Sequence, residues 1–444
     1  MSRPALTRRT ADTKAVGRLD RRFEITARGS SLRVEVLGGL STFMAMSYIV
    51  VVNPAILAQG GFPWRSAFLA TALVAGAATV AVGVWARLPF AVAPGMEINA
   101  LVVFSVIAAH GFGWREALGL VLASGVLMLA VTALGWRSRI IAAVPPRVGT
   151  GLVVSVAVFI GMVALELSGL DGLFERFPEA LATPTALALY LGFGLACALT
   201  RFGIRAAVLL SILASAVYCR LAGVSTPPAP AGDWSAALFA LNVTVLADPR
   251  AWGLVLVLFA LDFFGSVAKL VGLSARTPIQ RDGEVPGMRQ ALYVDGLATV
   301  GGAAVGSTSF VTFVESGAGI RAGARTGVAS IVTGVLLMGC AAIGPVAGWV
   351  PAAAAAGALL FVALGLVPRP SRTDALATGR LAAAAIVAVM GAVTAVTQAL
   401  DQALLAGLAL HLAAEAVRRR RPAPILLLIT ALLAASVAVQ YSID

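Results

Sequence analysis

Charge is scarce in this chain. Asp, Glu, Lys and Arg make up 12% of its 444 residues, against 59% hydrophobic residues. A soluble domain is about a quarter charged, so a soluble globular protein is excluded and every polar group has to be weighed against lipid rather than water. Cysteine is almost absent. Cys197, Cys219 and Cys340 all lie in or at the ends of apolar segments without paired spacing, which argues against a disulfide frame or a zinc site. Histidine occurs only at His110 and His411, both at segment ends and neither beside a metal-ligating neighbour. A serine–histidine pair, an H-E-x-x-H motif and a phosphate loop are all missing. An intramembrane enzyme therefore has no residues to work with, and neither a cofactor nor a metal is expected.

What is present is a succession of apolar runs, with a mean hydropathy of +0.93. Runs of about bilayer-spanning length fall near 37–58, 67–86, 90–109, 115–135, 147–166, 184–200 and 204–222. A second set follows a Pro/Ala-rich linker (Pro227, Pro228, Pro230) at 250–272, 291–306, 307–321, 325–347, 351–368, 381–399 and 402–417. The stretch 423–441 is either a fifteenth span or an interfacial helix. Residues 1–36 are polar and Arg-rich without a signal-peptide core, and read as a cytoplasmic tail with a surface helix near Leu19 to Ala27.

The loop charges test this layout. With the N-terminus inside, Arg87, Arg137, Arg139, Arg147, Arg201, Arg205, Arg276, Arg281, Arg289, Arg321, Arg325, Arg369, Arg372, Arg380 and Arg418 to Arg421 all fall on the cytoplasmic side. The loop assigned outside carries Asp171, Glu175 and Glu179. This is the positive-inside pattern. The net charge of +12 therefore needs no nucleic acid to explain it.

The two sets resemble each other. Ala78-Thr79-Val80 precedes Glu97, and Ala298-Thr299-Val300 precedes Glu315. Gly125-Val-Leu-Met-Leu and Gly334-Val-Leu-Leu-Met each lead, ten residues on, to another glycine. Seven spans per set is an odd number, so the second copy is inverted. The fold class expected is an all-α polytopic membrane protein of 14 transmembrane segments, arranged as a 7+7 inverted repeat with two interrupted spans. Secondary transporters are built this way, with the substrate site where the interrupted segments meet.

Those segments are Pro89 to Ala100 and Ser307 to Arg325. Pro89 and Pro94 forbid a regular helix before Gly95, so Phe90 to Ala93 is expected to be extended with a half-helix from about Gly95. In the second segment Gly306, Gly317, Gly319 and Gly323 predict an extended piece, Ser307 to Val314, and a half-helix starting near Glu315. Irregular backbone at membrane depth lines a cavity or is buried in protein. Unpaired N–H groups at two facing half-helix ends suit an anion or the carbonyl oxygens of a polar ring. Glu97, Asn99, Thr312 and Glu315 would add specificity. A third component is the span 250–272, where Asp262, Gly265, Ser266 and Lys269 share one helix face. A membrane lysine needs a carboxylate partner, here Asp262, Glu97 or Glu315. Alternatively, Lys269 snorkels to the interface.

At these residues the chain resembles the nucleobase–cation symporters, in the azaguanine/adenine/guanine/hypoxanthine permease branch of the xanthine/uracil permeases. The matching pieces are G-L-S-T-F-M-A-M-S-Y-I-V-V-V-N-P (39–54), A-P-G-M-E-I-N-A (93–100), D-F-F-G-S-V-A-K-L-V-G (262–272) and T-F-V-E-S-G-A-G-I-R-A-G-A-R-T-G (312–327). The resemblance implies a core domain (37–135 and 250–347) moving against a gate domain (147–222 and 351–417). It also implies uptake of a purine or pyrimidine base, usually driven by protons, and a cell-membrane location; the family often forms homodimers. Glu315 matches the glutamate that binds the base, Phe313 and Val314 the backbone beside it, and Ala93 to Asn99 the facing segment. Three positions depart from the pattern: Gly265 replaces a substrate-binding acid, Lys269 a small or histidine position, and Glu97 a small one. With Lys269 in the cavity, the pocket is expected to favour anionic or oxidised bases such as xanthine or urate. If Lys269 merely neutralises Glu97 or Asp262, a neutral base fits, and the pair is either a proton-linked switch or the mark of a uniporter. Glu315, Glu97, Asp262 and Lys269 are the candidate proton-coupling groups. The competing readings are an inorganic or carboxylate anion carrier of the same architecture and a non-transporting membrane sensor.

Overall fold

The computed structural model describes residues 13–136, 145–170, 179–224, 233–275, 277–281, 284–344, 350–367, 380–417 and 423–443. The loop charges Arg137, Arg139, Asp171, Glu175, Arg276, Arg369, Arg372 and Arg418 to Arg421, and the linker prolines, lie outside these residues. The described chain is helical apart from short connections and one antiparallel ladder of two strands, β1 (Val92–Pro94) and β2 (Phe310–Thr312). By length and composition, seven of its helices can cross a bilayer, and six shorter ones are also apolar. The multi-pass all-α character read from hydropathy therefore holds.

The helices pack in crosswise pairs that relate the two halves. Trp64–Ala81 packs on Gly327–Gly339, and Met288–Val305 packs on Trp114–Ala133. In the same manner Pro146–Leu167 packs on Arg380–Thr397, and Ala352–Leu366 on Pro184–Arg201. Each pair joins one helix from either half. The repeated glycines explain the first two crossings. A Cβ built on Gly76 would lie 2.7 Å from the carbonyl oxygen of Gly334, and one on Gly334 would lie 2.5 Å from that of Gly76. Across the other pair, a Cβ on Gly125 would lie 2.9 Å from Thr299 Cγ2, and one on Gly296 would lie 2.9 Å from Leu129 Cδ2. Small residues let membrane helices approach this closely where lipid supplies no hydrophobic drive.

The N-terminal region departs from the sequence reading. Its helix is Thr13–Phe23 rather than Leu19 to Ala27, and Phe23 and Ile25 are buried against Val328. Arg28 is buried too, donating to the carbonyls of Arg87 (3.2 Å) and Arg325 (3.4 Å). The first apolar helix starts at Leu32, because the Ser31 side chain caps it by accepting from Val34 N–H. Glu35, placed in the polar tail by its charge, is fully buried and accepts from the backbone N–H groups of Arg325 (2.8 Å) and Thr326 (3.2 Å). These contacts tie the chain's start to the beginning of Gly327–Gly339. The first span is also broken, into Leu32–Met46 and Ile49–Gln59, with Ser47 and Tyr48 at the break. At the far end, Pro424–Ile443 forms one helix resting on Pro249–Ser274 and Leu400–Val417.

Candidate substrate site

Both interrupted segments adopt the expected form. β1 pairs with β2 in the register Val92↔Thr312, Ala93↔Val311 and Pro94↔Phe310, and every one of these residues is buried. The pairing continues outward through Gly95 N–H to Ser309 O (3.1 Å) and Phe313 N–H to Ala91 O (2.8 Å). A helix leaves each strand: Met96–Ala100, continued by a π-helical stretch Leu101–Ala109, and the short Ser316–Arg321. A two-stranded ladder has edges that need partners. Two threonines supply them. Thr79 Oγ1 donates to Val92 O and accepts from Val92 N–H, both at 3.0 Å. Thr299 Oγ1 accepts from Phe310 N–H at 2.9 Å and lies 3.3 Å from Phe310 O. These are the threonines of the repeated Ala-Thr-Val motif.

The predicted site residues, with the neighbours they bond, separate into two groups. The first is partly open. Glu315 stands at the start of Ser316–Arg321 without capping it; its Oε1 accepts from the Tyr48 hydroxyl at 2.7 Å. Lys269 Nζ donates to Glu97 Oε1 at 3.1 Å, with side chains 18% and 17% exposed. Lys269 therefore points to the facing half-helix and does not snorkel away. Glu97 and Glu315 stand at the starts of the two half-helices that leave the paired strands, so Lys269 meets the segment facing Glu315. Gly265 is part of the arrangement. A Cβ built there would meet nothing nearer than Lys269 Nζ, at 4.0 Å, so the lysine head occupies the ground that a longer side chain at 265 would enter. Val314 is 51% exposed beside this space, whereas Phe313 is buried. A recess of about 360 Å³, lined by Gly272, Leu273, Gly317, Ile320, Arg321 and Arg325, opens next to the same two helices.

The second group is fully buried. Asp262, Ser266, Asp295, Thr299 and Thr312 are all 0% exposed. Thr299 Oγ1 lies 3.2 Å from Asp262 Oδ2, and Thr312 Oγ1 donates to Asp295 Oδ2 at 3.1 Å. Thr312 N–H donates to Ser266 Oγ at 3.1 Å. Thr312, Ser266 and Asp262 thus support the strand from behind and do not meet Glu315. Asn99 stands apart as well, buried and bonded to the Thr308 hydroxyl, while Ala93 is buried within the ladder. Sequence reasoning missed Tyr48 and Asp295. Each carried a signal: Tyr48 interrupts an apolar span, and Asp295 is the one acid in Met288–Val305, four residues before the repeated threonine.

With this geometry in place, the comparisons with known proteins are specific. A permease-family model, that of the xanthine/uracil permeases, matches residues 33–368. The adenine permease AdeP of Escherichia coli K12 is 32% identical over 382 residues, covering 82% of this chain and 84% of that protein. The guanine/hypoxanthine permease GhxP of Escherichia coli O157:H7 is 30% identical, covering 82% and 84%. Among solved structures, the transmembrane domain of the cyanobacterial bicarbonate transporter BicA superposes with a TM-score of 0.62 at 17% identity, covering 85% of this chain and 97% of that one. Murine Slc26a9, an anion transporter in its inward-facing state, gives 0.66 at 11% identity, covering 93% and 74%; at such identities the likeness is one of fold. A match across three quarters of the chain, with permeases throughout, makes this a membrane transporter rather than an enzyme, and the chain belongs to the nucleobase permease family of the xanthine/uracil type.

Proposed function

We propose that the protein carries a neutral purine-type nucleobase across the cell membrane, binding it between the two half-helices with Glu315 as the principal acceptor. The observation that carries this is the Lys269–Glu97 contact at 3.1 Å. An unpaired ammonium would favour xanthine- or urate-like anions. An ammonium already balanced by a carboxylate does not, and it leaves Glu315, oriented by Tyr48, as the carboxylate facing the space. A carboxylate grips the N–H donors of an aminopurine or purinone edge. The same balance weighs against an inorganic anion carrier, whose site needs net positive charge. The relatives named as adenine and guanine/hypoxanthine permeases point the same way.

In this reading the 14-span layout has its N-terminus in the cytoplasm. The domain carrying both strands slides against the domain formed by 147–222 and 351–417, in an elevator motion. Uptake is coupled to a cation gradient, and Glu315 is the group at the substrate that would carry a proton inward. The decisive experiment is uptake of labelled adenine, hypoxanthine, xanthine and sulfate into proteoliposomes by the wild type and by Glu315→Gln. The expected result is uptake of adenine or hypoxanthine, reduced at least about 100-fold in the variant while it stays folded in the membrane, since a charged hydrogen bond and the proton site go together. Uptake of sulfate alone, or near-normal purine uptake by Glu315→Gln, would overturn the reading.

A further inference from the structure

Away from the substrate site, one buried ion pair joins two parts of the chain that the transport reading sets in relative motion. His110 ends the π-helical stretch Leu101–Ala109, and Asp401 lies in the first turn of Leu400–Val417. His110 Nε2 and Asp401 Oδ2 are 3.6 Å apart, with side chains 3% and 2% exposed. In the core and gate division, His110 belongs to the core and Asp401 to the gate. With the N-terminus in the cytoplasm, both stand at the outer face, one at the end of the third span and the other at the start of the fourteenth.

The hydrogen bonding decides where the ring holds its hydrogen. His110 Nδ1 lies 2.8 Å from Ser105 O, which also accepts the His110 backbone N–H at 2.9 Å. A carbonyl oxygen only accepts, so Nδ1 carries a hydrogen whether the ring is neutral or charged. In the neutral ring, Nε2 is then a lone pair turned towards a carboxylate. Neither Nε2 nor Asp401 Oδ1 has a hydrogen-bond partner, and burial makes such unpaired groups costly. One proton on Nε2 converts the contact into an imidazolium–carboxylate pair and removes much of that cost. The start of a helix favours the ionised form of Asp401, so the proton belongs to the ring and not to the acid. The other charged groups at this end are engaged elsewhere or exposed. Arg250, whose charge opposes the imidazolium, is held 2.7 Å from Asp248. Arg115 lies over the Trp114 ring, Glu116 accepts from Gly113 N–H, and Glu166 is exposed. Burial lowers the pKa of His110, while Asp401 and the Ser105 carbonyl together raise it by more, so the net direction is upward.

We propose that His110 and Asp401 form a proton-binding site, separate from the substrate site, that latches the core to the gate at the outer face. With the proton bound, the pair holds the two domains as they stand here; loss of the proton frees them to move. The latch rests on the transport reading, whereas the proton site does not. A raised folded-state value means that the pair stabilises this arrangement fully below the ordinary histidine value of about 6.5. That stabilisation is lost as pH rises through the raised value.

His110 and His411 are the chain's two histidines, so ¹⁵N-histidine NMR of the purified full-length protein in detergent resolves each, with His411→Gln making the assignment. His110 should titrate above the ordinary histidine value and keep its hydrogen on Nδ1 when neutral. Asp401→Asn, whose amide can donate to the bare Nε2, should shift the titration downward. A wild-type ring that stays neutral throughout, or titrates at or below the ordinary value, overturns the proton site whether or not the variants fold. This measurement needs no substrate, so its failure is distinct from that of the transport reading. The latch is read as purine uptake by His110→Gln divided by uptake by the wild type at the same pH, which cancels the pH dependence of the substrate site. That ratio should be about fivefold higher at about pH 5.5 than at about pH 9. An equal ratio at both overturns the latch.

Discussion

The two strand-bearing repeats share their scaffold and differ in their charge. In each, a threonine of an Ala-Thr-Val triplet bonds both backbone groups of one strand residue, Thr79 with Val92 and Thr299 with Phe310. In each, a glycine three residues before that threonine sits at a helix crossing, Gly76 and Gly296. One residue earlier still, the repeats part. The first half has Ala75 and the second has Asp295, both fully buried. Asp262 meets Thr299, whereas Thr79 has no such partner among the described residues. What the halves share makes the crossing; what they do not share is the acid cluster and Lys269. In the function proposed above, the second repeat supplies Lys269 and Glu315, and the first contributes Tyr48 and Glu97 across the gap.

The largest expected effect comes from breaking the shared part. At the Gly76–Gly334 crossing an added methyl meets a backbone oxygen, which cannot step aside, while at Gly125–Gly296 it meets side chains that can turn. Gly334→Ala should cost about 3 kcal/mol or more and Gly125→Ala about 1 kcal/mol, since overpacking is felt in proportion to what cannot move. Size-exclusion profiles and melting curves in detergent would show this. Equal penalties would mean that the backbone at the Gly76–Gly334 crossing gives way as readily as the side chains at the other.

Next comes the contact through which the halves meet electrostatically. Lys269→Met leaves Glu97 largely buried without its partner, and Glu97→Gln leaves Lys269 so. Each single change should cost about 2–3 kcal/mol. The double variant should recover part of this, with a coupling of about 1–3 kcal/mol in a thermodynamic cycle. If purine uptake survives in the double variant and uptake of xanthine or urate rises in Glu97→Gln alone, the pair acts by neutralising charge. Additive penalties would show that the two side chains do not act on one another.

Much of this was legible before any coordinates. Glycine and proline placed both interrupted segments to within about two residues, because they restrict the backbone locally. Glu315, Glu97 and Lys269 stood out because charge is rare in apolar spans. Three features were less accessible. Lys269 had three candidate carboxylates, and spacing along one helix cannot say which residue of another helix it will meet. Thr312 and Ser266 belong to the right segments but face away from Glu315, because alternation along a strand becomes informative only when its register is known. Glu35 looked like part of a polar tail, since nothing local marks a carboxylate that will accept from a helix start 290 residues later.

The finest probe of the comparison is the pair Thr79→Val and Thr299→Val. Valine keeps the shape of threonine and removes the hydroxyl. Each change leaves one strand residue with an unpaired N–H and an unpaired or weakened C=O, so each should cost about 1–3 kcal/mol in a melting experiment. On stability alone the two variants should be nearly equal, because Val92 and Phe310 lose the same thing. They should separate in uptake. Thr299→Val also removes the hydroxyl at Asp262 Oδ2, leaving a carboxylate whose other oxygen is already bare, whereas Thr79→Val disturbs no acid. A roughly tenfold greater loss of purine uptake in Thr299→Val than in Thr79→Val would place the functional asymmetry at the acid cluster. Equal uptake at equal stability would make the acids part of the scaffold, and would leave Glu315 and its neighbours to account for transport on their own.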